Sequence, residues 1–259
     1  MVSDIDAFTL LEDACIPHQD DTRITSLAVR LVGTLVYSDP SLFKKLQSVH
    51  GQLLEFIING TGRDDTELFG CLECIRLLLS CNVTLNWFLE HSKALNAMLL
   101  DGLRSTNTLI VCSASTALVS LICPSDAIGT AREQLVASLI VSGRLYDHLN
   151  ALISPQSTIQ NKVAVIDLQR AMMDANDRKT IRFMIDGDLV GETHELLNHS
   201  DRVVCAKATG LVLALLESIE LTECPLLMPD GELLFVNSIS SHRLTCYIYI
   251  YIKHDSRCS

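Results

Sequence analysis

One long apolar segment recurs along the chain, and each copy follows a short polar turn. The copies span residues 22–38, 66–81, 107–123, 158–175 and 201–220. Their first residues are 44, 41, 51 and 43 positions apart. Helical repeats of the HEAT and armadillo type recur every ~40–47 residues. The pattern therefore predicts five repeat units, each built around one long helix.

The polar turns share one kind of chemistry. Each places a side-chain oxygen just before the apolar segment, where it can accept hydrogen bonds from the free N–H groups of a first helical turn. The turns are Asp20-Asp21-Thr22, Asp64-Asp65-Thr66, Ser105-Thr106-Asn107, Ser157-Thr158 and Ser200-Asp201. A helix start is thus predicted at all five places.

Two copies match closely enough to compare residue by residue. Residues 111–119 and 204–212 are identical at five of nine positions, and Ala117 and Gly210 are both small. Shorter apolar elements precede the copies, around Phe43, Phe88 and Phe183. Because a single unit would leave an apolar face in water, the units must stack. We predict an all-α, HEAT/armadillo-like right-handed α-solenoid of about five repeats over residues 1–222, in preference to an irregular helical bundle.

Residues 223–259 do not continue the pattern. Pro225, Pro229 and Gly231 interrupt it, and residues 246–252 alternate aromatic and β-branched side chains as a strand does. We predict an irregular C-terminal tail, and interpret residues from about Ser238 onward as the product of a truncated or alternatively spliced gene model. Sequencing the transcript across this junction tests that interpretation, and abundant reads through it would contradict it.

Composition and net charge argue against several classes of function. Hydrophobic residues make up 48% of the chain and aromatic residues 5%, which favours helix packing, and the net charge is −11. Such a charge repels phosphate, so no direct nucleic-acid binding is expected. The first residues do not resemble a signal peptide, and the most apolar stretch, 108–123, is short for a bilayer. We therefore expect a reducing compartment, no membrane association, and cysteines that pack in helices at positions 15, 71, 74, 112, 123 and 205.

Candidate catalytic and metal motifs are weak. Cys71 and Cys74 form a C-x-x-C pair without a second pair or suitably spaced histidines. His194 and His199 are five residues apart, whereas a zinc-protease helix needs a spacing of four. No glycine-rich phosphate loop or nucleophile elbow is found. We expect no catalytic residues, no metal and no cofactor. A helical enzyme remains a third hypothesis, which a deep pocket of His and acidic residues would favour.

The remaining candidate is a binding surface. In armadillo-type stacks the last helix of each unit lines a groove that holds the partner. On that basis the predicted partner-binding groove residues are polar positions of the long helices, namely Arg30, Glu73, Asn161, Arg170 and Lys207.

Two stretches resemble one particular family. The first contains Ser26, the run Arg30-Leu31-Val32-Gly33-Thr34, the run Phe43-Lys44-Lys45-Leu46-Gln47, and Leu53-Leu54. The second contains Phe88-Leu89-Glu90-His91, residues 109–114 and Leu118-Val119. In this order they resemble the N-terminal repeats of the BRCA-associated ATM activator proteins. The resemblance covers roughly residues 10–123.

This resemblance implies a nuclear and cytoplasmic HEAT-repeat scaffold in DNA-damage signalling through the ATM kinase. It also implies association with the endonuclease subunits of Integrator, which processes nuclear RNAs. Members of the family are much longer, and the C-terminal tail that matters for the endonuclease has no counterpart here. The alternative is a general armadillo-type peptide-binding adaptor in transport, the cytoskeleton or assembly. Such adaptors carry regularly spaced Asn and Trp along the groove, for which only Trp87 and Asn161 are candidates.

Overall fold

A computed structural model describes residues 6–16, 21–59, 63–122, 130–141, 144–174, 193 and 196–218. Contacts group the chain into two units, Met1–Ala175 and Asn176–Ser259, which are treated separately below. This division lies before the predicted domain boundary at 222/223, so the fifth predicted repeat helix belongs to the second unit. Every regular element among the described residues is a helix.

The first unit contains eleven described α-helices and one described 3₁₀ turn, Asn82–Thr84. They are α1 (Ala7–Cys15), α2 (Thr22–Ser38), α3 (Leu42–Val49), α4 (Gly51–Ile58), α5 (Asp65–Leu79), α6 (Leu85–Glu90), α7 (Ser92–Arg104), α8 (Thr108–Ile122), α9 (Thr130–Val141), α10 (Leu145–Ile153) and α11 (Ile159–Asp174).

The long helices form a row. Helix α2 packs against α5, α5 against α8, and α8 against α11. These four helices begin 43, 43 and 51 residues apart. Between them lie pairs of helices, α3–α4, α6–α7 and α9–α10, and the second helix of each pair contacts the long helix that follows. The unit is therefore a stack of three-helix repeats, which confirms the predicted all-α, HEAT/armadillo-like fold.

The predicted helix starts are confirmed by their caps. The Asp21 carboxylate accepts N–H bonds from Arg23 and Ile24, and the Asp64 carboxylate accepts them from Thr66 and Glu67. The side chains of Asn107 and Thr158 accept one N–H bond each. A cap of this kind stabilises a helix by about 1 kcal/mol. Because each cap precedes a long helix, these side chains fix where the long helices begin.

Small residues allow the long helices to approach closely. A Cβ added to Gly33 on α2 would lie 2.9 Å from Cα of Cys74 on α5. One added to Gly70 on α5 would lie 2.6 Å from the Ser26 hydroxyl and 2.8 Å from Ser26 Cα on α2. No real Cβ makes such contacts with backbone. The contact between α2 and α5 thus depends on glycine at these two positions.

A buried arginine joins the ends of two neighbouring long helices. The Arg132 side chain on α9 is 6% exposed, and its guanidinium donates to the carbonyls of Ser120 and Leu121 on α8 at 2.8 Å. It also donates to the Leu79 carbonyl, the last residue of α5, at 3.1 Å. These carbonyls have no partner within their helices and carry the negative end of the helix dipole. One cation therefore serves as a C-terminal cap for α5 and α8.

A buried histidine ties α1 to the rest of the unit. His50, 3% exposed at the junction of α3 and α4, contacts Glu12 through Nδ1 at 2.6 Å and Asp6 through Nε2 at 3.2 Å. Lys45 makes a second ion pair with Asp6 at 2.9 Å. Burial lowers the pKa of His50, but the two carboxylates outweigh it, so the net pKa is raised. The Lys45 hydrogen bond is the largest contribution that lowers the pKa of Asp6 to about 2.

The second unit has one long described helix, α12 (Arg202–Ser218), preceded by a 3₁₀ turn, Leu196–Asn198. The Asp201 carboxylate accepts N–H bonds from Val203 and Val204. This confirms the fifth predicted helix start. The tail at 223–259 and the boundary before it lie outside the described residues.

Cysteine packing follows the prediction in part. Cys15, Cys71 and Cys74 are buried, whereas Cys112 and Cys205 are half-buried. Cys123 lies outside the described residues. Within the described ranges, no single helix combines the length and apolar content needed to cross a bilayer. Helix α5 and the segment Asn82–Glu90 would meet those criteria as a pair, but they are bent by 106°.

We predict that Gly70→Ala destabilises the first unit by about 1–3 kcal/mol, because the new methyl group is forced onto the backbone of Ser26. The urea midpoint of the helical signal measures the change. Gly51→Ala is the control, since a Cβ there meets no atom within 4 Å. Equal midpoints for the two variants would show that the α2–α5 contact is not glycine-dependent.

We predict that His50→Gln costs about 1.5–3 kcal/mol at pH 6, the range for a hydrogen bond to a charged group, and less at pH 9. A raised folded pKa means that the contribution of His50 is fully present below its unfolded pKa, ~6.5, and is lost as pH rises through the folded value. Thermal unfolding across this pH range measures the difference between wild type and variant.

His148→Gln is the opposite-sign control. Burial and then Arg104 lower the pKa of His148, so its unfavourable contribution appears as pH falls. The difference between His148→Gln and wild type should therefore change with pH in the reverse direction. Parallel pH profiles for the His50→Gln variant and wild type would contradict the role assigned to the His50 pair.

Candidate protein-binding surface

The long helices of the first unit share one open side. On each of them the exposed and half-buried residues recur every three or four positions, which is the spacing of one face of a helix. We call this surface the open stripe and define it by Arg30 and Thr34 on α2, Phe69, Glu73 and Arg76 on α5, Cys112 and Thr116 on α8, and Asp167 and Arg170 on α11.

Side-chain contacts join the stripe on α2 to the stripe on α5, and the start of α5 to the start of α8. The Arg30 guanidinium on α2 lies over the Phe69 ring on α5, 5.6 Å from its centroid. At the helix starts, Asn107 before α8 donates to the Asp65 carboxylate on α5 at 2.8 Å. The open stripe is therefore continuous from α2 to α5. A side-chain hydrogen bond also holds the start of α8 against the start of α5.

Three charged groups of the stripe, Glu73, Arg76 and Arg170, are paired within their own helices. Glu73 accepts from Arg76 at 3.0 Å, and Arg170 donates to Asp174 at 2.9 Å. Exposed pairs of this kind contribute little, about 0.2–1 kcal/mol each, so they exchange readily for other partners. The stripe thus presents alternating charge, one aromatic ring and hydroxyl groups. This surface suits hydrogen bonds and ion pairs with a polypeptide.

Three of the five predicted groove residues lie on this stripe, namely Arg30, Glu73 and Arg170. Asn161 does not. Its side chain is only 9% exposed in the first turn of α11, and its Oδ1 atom has no hydrogen-bond partner among the described residues. The stripe on α11 passes through Asp167 and Arg170 instead. Lys207 is half-buried on α12 and belongs to the second unit.

Sequence reasoning missed Phe69 and Thr116. Phe69 resembled a core residue, yet it is half-buried and its ring faces the Arg30 guanidinium. Thr116 is exposed and donates its hydroxyl to the Cys112 carbonyl at 2.8 Å. A signal for both was available, because each is three or four residues from another stripe position. Phe69 lies one helical turn before Glu73, and Thr116 lies 43 residues after Glu73, the same distance that separates the starts of α5 and α8.

The C-x-x-C pair is part of the core. Burial raises the pKa of Cys71 to about 12 and that of Cys74 well above its ordinary value, so both thiols stay protonated. Neither is placed as a thiolate nucleophile or ligand would be. Across the described ranges, no group of three or more His, Cys, Asp or Glu side chains is arranged to hold a metal ion.

The second weak motif ends in a turn. His194 and Glu195 lie outside the described residues. His199 accepts the Asp201 N–H through Nδ1 at 3.1 Å, just after the 3₁₀ turn Leu196–Asn198. This histidine therefore takes part in the turn that starts α12.

Comparison with known proteins identifies the fold and nothing narrower. No protein-family profile and no curated protein sequence matches the chain. Two engineered proteins of known crystal structure are similar to it, each with a TM-score of 0.57. The first is 16% identical, with 83% of this chain and 85% of that chain covered. The second is 17% identical, with 83% and 87% covered.

A designed armadillo repeat protein is also similar, with a TM-score of 0.37, 11% identity, and 81% of this chain and all of that chain covered. The row of long helices and its supporting pairs define the class. The chain is an all-α helical-repeat protein with a HEAT/armadillo-like fold.

Proposed function

We propose that this chain is a non-catalytic scaffold that binds a protein partner along the open stripe. The observation that carries the proposal is the recurrence of exposed and half-buried polar positions on four successive long helices, with Arg30 on α2 in contact with Phe69 on α5. A partner segment lying across the four helices would meet groups that are held by a rigid row. Such preorganisation reduces the entropy lost on binding.

A general peptide adaptor is the alternative, and the residues that would mark it are not on the stripe. Trp87 is 8% exposed and packs against Phe43, Phe88 and His91. Asn161 is buried as well. The described repeats therefore present no ladder of exposed Asn and Trp, which favours recognition by the charged and hydroxyl groups of the stripe.

For the cellular setting, we propose DNA-damage signalling with ATM and Integrator-linked RNA processing, in the nucleus and cytoplasm. The support is the sequence resemblance. Its least generic part, residues 26–34, contains both buried and exposed positions. Ser26 and Gly33 serve the α2–α5 contact, whereas Arg30 and Leu31 are exposed. Of these two, Arg30 belongs to the open stripe and is the part that a partner of that family would contact.

The test uses a variant in the middle of the stripe, Thr116→Arg with Asp167→Arg. The tagged full chain is purified from cells and probed for ATM and for the Integrator endonuclease subunits. Any partner recovered is then titrated against purified chain by calorimetry. We expect the variant to bind at least roughly tenfold more weakly, the range for a central interface position. Wild-type chain that recovers neither partner contradicts the assigned setting.

The matched control is Gln52→Arg with Glu90→Arg, which changes the net charge equally at exposed positions of α4 and α6. It should bind as the wild type does. Circular dichroism of all three proteins shows whether the helices are retained. Equal loss of binding in the control and in the stripe variant would contradict the open stripe as the binding surface.

A further inference from the structure

Helix α2 carries a second surface, distinct from the open stripe. Ile24, Leu27 and Leu31 are 50%, 57% and 44% exposed. They lie three, four or seven residues apart and so form one apolar face. We call this surface the end face. Three large aliphatic side chains exposed together on one helix mark a site where another surface docks.

The end face points away from the row. At 100° per residue, Ile24 lies roughly 180° around the helix from Gly33, which contacts α5. In the first unit α5 packs between α2 and α8, and α8 packs between α5 and α11. Among the described long helices, α2 packs against α5 alone, and the short helix α1 also packs on it. Neither helix covers the end face, because Ile24, Leu27 and Leu31 remain exposed.

The charged side chains within α2 differ in sign from the chain as a whole. The whole sequence has a net charge of −11, yet α2 contains Arg23 and Arg30 and no acidic residue, and the Asp21 carboxylate just before it accepts N–H bonds of the first turn. Both arginines are exposed on one edge of the end face, and no ion pair among the described residues involves them. The surface is apolar with a basic edge.

We propose that the end face docks an acidic amphipathic helix of a partner protein. The occupant continues the row by packing its apolar side on Ile24, Leu27 and Leu31, and its carboxylates pair with Arg23 and Arg30. Helix-in-groove recognition of this type reads anchors at i, i+3, i+4 and i+7. A second copy of this chain is disfavoured, because the two basic edges would meet.

The probe is a fluorescein-labelled helical peptide of about 18 residues, long enough to be helical on its own. It carries Leu at i, i+3, i+4 and i+7 and Glu on the flanking positions. A matched peptide has Lys in place of Glu. Fluorescence anisotropy with the full chain should show binding of the acidic peptide at least roughly tenfold tighter than that of the basic one. Equal binding of the two peptides, or no binding of the acidic one, overturns the proposal.

Substitutions locate the binding. Ile24→Asp with Leu31→Asp should weaken the acidic peptide by at least roughly tenfold. Val49→Asp is the control, because Val49 is an apolar side chain of α3 with 64% exposure. Thr116→Arg should leave peptide binding unchanged, which separates the end face from the open stripe. Unchanged binding by the end-face variant contradicts the proposal.

Sedimentation velocity of the chain alone tests whether a second copy of the chain occupies the end face. We expect a monomer, with or without the end-face substitutions. A dimer that Ile24→Asp with Leu31→Asp converts to a monomer would assign the end face to a second copy and overturn the acidic partner.

Discussion

The contact between successive long helices is the constraint on which the rest of this fold depends. Each of these helices has an apolar side that only its neighbours cover, so no repeat is stable alone. At the α2–α5 crossing the two backbones approach until Gly33 meets Cys74 and Gly70 meets Ser26. In the same way, Gly102 on the supporting helix α7 meets Ala114 on the long helix α8. Small residues at the crossings fix the distance, and the larger Leu and Ile side chains fill what remains.

Polar interactions at both ends of the long helices hold these helices in register with one another. Asp21, Asp64, Asn107 and Thr158 cap the starts of the long helices, and Arg132 caps the C-termini of α5 and α8 together. Removing the Arg132 side chain would leave buried carbonyls without donors, a cost of about 1–3 kcal/mol for each such group. Packing therefore sets the distance between helices, whereas these caps set where each helix begins and ends.

The sequence predicts where the helices lie better than it predicts which face of each helix is buried. Helix α2 matches its predicted bounds, because Asp21 caps its start and Asp39-Pro40 follows its end. Helix α11 was placed correctly, but its face was not. Asn161, Lys162 and Gln169 are polar and yet buried, so the pattern of polar residues gave the wrong side of its first turn. The pairs α3–α4 and α6–α7 were predicted only as short apolar elements, because a single residue, His50 or His91, separates the two helices of each pair.

The two surfaces of the row differ in chemistry, and this difference bears on how partners would share it. Glu73 and Arg76 on the open stripe already satisfy each other, so a partner there exchanges one set of ion pairs for another and binding depends on geometry. The end face holds Ile24, Leu27 and Leu31 in water, so covering it gains free energy from apolar burial, about 25 cal/mol for each Å². Arg30 lies beside both surfaces. A carboxylate that pairs with Arg30 from the end face would compete with the Phe69 ring for its guanidinium, and the α2 end of the open stripe would lose that contact. On this geometry the two proposed partners are coupled through one side chain, and by thermodynamic linkage each lowers the affinity of the other.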